Sequence, residues 1–171
     1  MDTGDSISMG IAYSDLLLEA GILVNNAVSV EEISNILVEY ANSGLKPDLL
    51  CLYQYENTLN SDMQLVSKRG FTPAPEYLLH DSELFCFLLE LQQLVCLNTP
   101  KKSPFEDILL SDQMGSGLAI AINIAEIKMS VLIINSKHSF YFKRNEIKYL
   151  EDLCSIIKKT KTKAGVNSEV F

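Results

Sequence analysis

The sequence predicts an α+β fold: one antiparallel sheet of five to six strands, terminal helices on one face, loops and short helices on the other. Three observations carry this. Residues 117–123 and 128–135 are two apolar runs a few residues apart, and 144–159 then repeats apolar side chains at helical spacing. An earlier pair, 49–55 and 63–67, reads as a second hairpin around the polar cluster 57–62. The first 45 or so residues carry helical rather than strand periodicity.

In order along the chain, 1–7 is polar and reads as a disordered start, and Ile11, Leu16, Leu17, Ala20, Leu23 and Val24 predict a helix over 8–25. Ser29 and Glu32 stand as in a capping box, and Ile33, Ile36, Leu37 and Tyr40 form one apolar face behind them. Gly44 is the natural left-handed end of that second helix, because it has no Cβ to clash and Pro47 bars continuation. After the first hairpin, two prolines in 70–75 stiffen an irregular segment. Asp81 or Ser82 can cap a helix through about residue 92. A short strand at 94–97, a loop at 100–104 and a helical turn at 105–110 lead into the final hairpin and helix. One domain over 8–160 with a flexible tail at 161–171 follows. Both faces of 129–134 are apolar, which calls for cover on both sides of the sheet.

Composition removes several functions. The 14 basic against 22 acidic residues give a net charge of −8. A duplex nucleic acid is bound by neutralising phosphates with Lys and Arg, so no nucleic acid is expected as a partner. The lysines at 158, 159, 161 and 163 are the local exception, and they suit the negative pole of a closing helix. No apolar run approaches the ~20 residues of a membrane span, so no membrane is expected. Asp2 and Asp5 stand where an export signal is basic, so the expected location is cytoplasmic. Cys51, Cys86, Cys96 and Cys154 form no CxxC or zinc spacing and each sits among apolar residues, so all four are expected to be buried reduced thiols. His80 and His138 lie in different elements, and no metal site is expected.

The ordered set of local patterns resembles the GAF domain family over roughly 14–160. It comprises the entry helices over 16–41, the small loop and strand over 47–53, and the strand 116–122. The strand 129–134 follows, and then Phe142 with Glu146, Leu150 and Leu153 at the start of the last helix. Asn123 stands where family members commonly have proline, Ser130 where they have glycine, and Leu84, Phe85, Phe87 and Leu88 are bulky where many are glycine-rich.

The resemblance implies a cytoplasmic sensory or regulatory domain that binds a small molecule and relays a signal through a helical homodimer. A ligand-free scaffold with a filled pocket is the alternative, and a small redox enzyme a distant one. The cyclic-nucleotide signature is broken, because Ser136 separates Asn135 from Lys137. The bilin branch needs a Cys-His pair and the methionine sulfoxide reductase branch a cysteine ahead of the 116–122 strand, where 111–116 has none. No nucleophile and base are positioned together, so the chain is read as non-enzymatic, and no cofactor is specified. A pocket is expected between the sheet and 70–116. Phe71, Phe87 and Phe105 are its candidate walls, with Ser103, Asp107 and Ser116 as polar contacts. The small Ala119 and Ala121 share a strand face and leave room for a close-packed helix or a ligand. Ile147, Leu150, Cys154 and Ile157 step by three, four and three. With Leu16 and Leu17 they are the expected dimer contacts.

Overall fold

The computed structural model describes residues 2–55, 62–79, 82–100, 106–124 and 128–159. The expected turn at 57–61, the loop at 101–104, His80, Asp81, Ser103, Phe105 and the tail at 161–171 lie outside them. Among the described residues a six-strand antiparallel sheet and four helices confirm the α+β class. The strands are β1 (Leu49–Gln54), β2 (Met63–Arg69), β3 (Tyr77–Leu78), β4 (Val95–Leu97), β5 (Ser116–Ile124) and β6 (Lys128–Ser136). The helices are α1 (Asp2–Asn26), α2 (Val30–Leu45), α3 (Glu83–Leu91) and α4 (Arg144–Lys159), with a 3-10 turn at Glu106–Ile108. The chain divides into two compact units, a helical one of α1, α2 and α4 and a sheet unit that also holds α3 and the 3-10 turn.

In the helical unit, α1 begins at Asp2, ahead of the start expected near residue 8. Once a helix is nucleated each added residue gains a hydrogen bond, so propagation through a polar start is inexpensive. The capping box forms: Ser29 Oγ accepts the Glu32 N–H at 3.1 Å, and the Glu32 carboxylate accepts the Val28 N–H at 3.0 Å. The expected helix end at Gly44 is corrected. Lys46 takes the left-handed position at φ 49° and its N–H bonds Asn42 O at 3.0 Å, while Gly44 lies inside α2. Gly44 is small for another reason: a Cβ there would run into the Tyr149 ring, 2.8 Å from its hydroxyl oxygen and nearer still to its carbons. Tyr149 cannot swing away freely, since its hydroxyl donates to Tyr40 O at 2.5 Å and its ring stacks on Tyr13 at 4.5 Å. Three helices are thus joined at one tyrosine.

In the sheet unit the strand order is β3-β2-β1-β6-β5-β4. β1 is central, pairing β2 on one side and β6 over all six of its residues on the other. Its run Leu49–Gln54 is buried on both faces, which explains its lack of alternation. β3 was not expected; two residues are too few for periodicity to mark. Gly70 follows β2 at φ 111°, with Asp48 O where a side chain would start, so only glycine fits.

One sheet face carries the unit's core. Leu49, Cys51 and Tyr53 of β1, Ala119 and Ala121 of β5, and Val131 and Ile133 of β6 are buried there with Leu84, Phe85 and Leu88 of α3. Ser82 caps α3 by accepting the Phe85 N–H at 3.0 Å. Among the described residues no helix is long and apolar enough to cross a membrane.

Candidate functional site

The site expected between the sheet and 70–116 is built from the core-bearing face of β1, β5 and β6. Facing residues alternate, so Met129, Val131, Ile133 and then Asn135 fall on one side of β6. Asn135 is the polar exception in that row and is fully buried. Its Nδ2 donates to Ile108 O at 2.8 Å and its Oδ1 accepts the Leu110 N–H at 2.7 Å. One side chain therefore satisfies two backbone groups and fixes the 3-10 turn over the sheet. Gly117 leaves the space this needs, since a Cβ there would meet Ile108 Cγ2 at 2.6 Å and Asn135 Nδ2 at 2.8 Å.

The 70–75 segment is held in a similar way. Tyr53 donates its hydroxyl to Pro75 O at 2.8 Å, and Lys68 Nζ donates to Thr72 O at 3.1 Å. α3 lies on the same face with Leu84, Phe85 and Leu88, and Phe85 meets Tyr55 edge-on at 5.9 Å. Around this buried cluster runs an apolar rim that is only partly covered, including Tyr55, Leu65, Leu89, Val95, Leu97 and Met129.

The expected site residues are not brought together. Phe71 is fully exposed, because the proline-rich segment runs along the surface, and it walls nothing. Phe87 is half-buried and outside the core cluster that holds Leu84, Phe85 and Leu88. Asp107 is exposed. Ser116 is buried, and its hydroxyl is spent on His138 O at 2.6 Å. Ser103 and Phe105 lie outside the described residues. The expected dimer contacts are also displaced. Leu150, Cys154 and Ile157 are buried in the single chain and have no area left for a partner, while Ile147, Leu16 and Leu17 are half-buried. Exposed apolar side chains stand instead at Leu18, Ile22 and Leu23 on α1. The sequence singled out Asn135 only as part of a broken cyclic-nucleotide signature; its bracing role was signalled by a polar residue in register with Met129, Val131 and Ile133.

The cysteines divide in two, correcting the expectation that all are buried. Cys51 and Cys154 are, but Cys86 on α3 is exposed and Cys96 on β4 half-buried, its sulfur 3.2 Å from Asn98 Oδ1. Burial raises the Cys96 thiol above its ordinary range. Burial pushes Cys51 up to about 12, against a smaller pull downward from Lys68, and does the same for Cys154 against Lys158. Burial likewise raises Tyr53 and Tyr149. These groups fold as neutral acids, so the folded chain holds protons that the unfolded chain releases first. Their stabilising contribution is whole below the ordinary thiol value of 9.0 and is lost as pH climbs from there toward 12. Urea midpoints should therefore be level near about pH 8 and fall steeply above about pH 10. A flat profile would contradict the burial of these thiols.

No family model matches the chain, and no curated protein matches it. Solved structures do. Free methionine-R-sulfoxide reductase from Neisseria meningitidis, in complex with its substrate, is similar at TM-score 0.71 and 16% identity, covering 91% of each chain. A structure described as a GAF sensor protein from Burkholderia vietnamiensis gives TM-score 0.71 at 12% identity over 94% of each. The GAF domain from an Acinetobacter phosphoenolpyruvate-protein phosphotransferase gives 0.64 at 19%, covering 91% of this chain and 92% of its own. The fold is GAF-like. The expectation that the chain is not an enzyme is withdrawn, because this same fold is that of a reductase and so does not argue against catalysis.

Proposed function

We propose that the chain is a cytoplasmic sensory or regulatory GAF-like domain that takes a small molecule on the α3 side of its sheet and relays the signal as a homodimer. The partly covered apolar rim around the sheet core carries this reading, since small-molecule sites are mostly apolar with a few fixed polar groups. The neighbours add support: two reductase structures of this fold are described as complexes with their substrate. The ligand-free scaffold has the packing of Leu84, Phe85 and Leu88 in its favour and gains nothing from those neighbours.

The test is thermal denaturation against amino acids and their sulfoxides, nucleotides, haem and bilins. A true ligand at roughly 100 times its Kd stabilises the fold by about 3 kcal/mol. A well-folded chain that none of them stabilises would sink the sensor reading. For the dimer, Leu18 and Ile22 lie one helical turn apart and both are exposed, 66% and 55%. Light scattering should find a dimer in the wild type and a monomer in the Leu18→Glu, Ile22→Glu variant, which still melts cooperatively as a folded chain. A monomeric wild type would remove the relay.

One observation favours a second reading, thiol catalysis. Cys86 and Cys96 are the described cysteines outside the core, so they are the thiols a substrate can reach. Turnover of free methionine-R-sulfoxide with a dithiol reductant, abolished in Cys86→Ser or Cys96→Ser, would establish it. Equal rates in wild type and both variants would exclude it.

A further inference from the structure

Three described non-glycine residues have positive φ: Lys46, Gln92 and Phe140. The first two are the left-handed ends of α2 and α3, where that conformation is ordinary. Phe140, at φ 56°, ends no helix, and its ring is 60% exposed, so neither capping nor burial explains it. A bulky side chain resists this backbone region because its Cβ crowds the following carbonyl. What holds it is a hydrogen bond from the Phe140 N–H to Asn98 O at 2.7 Å.

Asn98 begins the connection from β4 to β5, and the other end of that connection is tied to the same turn. The Gly115 N–H donates to Ser136 O at 2.8 Å, and Ser116 Oγ to His138 O at 2.6 Å. Gly115 packs so closely that a Cβ would lie 2.8 Å from both Lys137 O and Ser139 N. The turn after β6 therefore grips both ends of the β4–β5 connection, and the chain passes from it into α4 at Arg144. The strain at Phe140 and the hydrogen bond from its N–H to Asn98 O are of similar size, so these two are near balance.

We propose that the turn over 137–140 is a strained latch, holding the β4–β5 connection to the chain segment that enters α4. It builds on the proposed sensing role, because this connection carries the 3-10 turn and the rim residues Leu109 and Leu110 beside the core face. Displacing Asn98 frees Phe140 to leave the left-handed region, and the segment before α4 loosens with it.

Amide hydrogen exchange of the full chain without ligand tests this, so that its outcome is independent of whether any small molecule binds. Asparagine tolerates left-handed backbone and valine resists it more than phenylalanine does. Exchange at position 140 should be slowest in Phe140→Asn, intermediate in the wild type and fastest in Phe140→Val, over a span of about tenfold. The Gly115 amide, at the far end of the connection, should follow in the same order, since coupling is reciprocal. Equal rates at 140 in all three would overturn the strain. A Gly115 amide indifferent to the series would overturn the latch.

Discussion

Replacing Asn135 by leucine is expected to cost the fold about 2–4 kcal/mol, because Ile108 O and the Leu110 N–H then lose their partner inside the protein. Leucine has similar bulk, so packing is roughly kept and the loss isolates the polar role. A domain of this size is stable by only about 5–15 kcal/mol, so the urea midpoint should fall visibly at an unchanged slope. Asn135→Asp keeps the acceptor for Leu110 but brings a carboxylate to the Ile108 carbonyl. It should not rescue the leucine variant's loss. A leucine variant within about 0.5 kcal/mol of wild type would show that the 3-10 turn is held by other means.

The second large effect is a reversal of sign between two glycines. Gly21 and Gly44 both lie inside helices, where alanine is ordinarily better by up to about 1 kcal/mol. A Cβ at Gly21 meets nothing within 4 Å, so Gly21→Ala should stabilise. At Gly44 it meets the Tyr149 ring, which Tyr40 and Tyr13 hold in place. Gly44→Ala should therefore destabilise by about 1–3 kcal/mol. With Tyr149→Leu as background most of that penalty should vanish, since the obstructing ring is gone. Thermal melts of the four variants read this directly. A stabilising Gly44→Ala would mean that α2 and α4 are not packed as described.

The contrast between those glycines shows where sequence reading stops. Gly44 before Pro47 looks like a helix end, and nothing local reveals that Tyr149, over a hundred residues on, needs the space. α4, by contrast, was legible from Arg144 to Lys159, because its polar and apolar faces are sharply divided. What α4 buries was not: Leu150, Cys154 and Ile157 fit a dimer seam and a monomer core equally well by spacing. α3 posed the same difficulty. Leu84, Phe85, Cys86, Phe87 and Leu88 are all apolar, so periodicity could not say that Cys86 is exposed and Phe87 only partly covered. Phe71 misled because an aromatic between turn residues looks like a wall, whereas single exposed apolar residues are common.

A calorimetric titration of the stabilising small molecule, compared between the wild type and Leu89→Gln, reads whether the ligand sits on the α3 side of the sheet. Leu89 is half-buried at the apolar rim on α3 and belongs to no polar network described above. If the small molecule sits on the α3 side of the sheet, the variant should bind at least about tenfold more weakly, a loss of about 1.4 kcal/mol, while keeping its fold. Unchanged affinity in a folded variant would place the ligand away from the α3 side of the sheet and remove the proposed site.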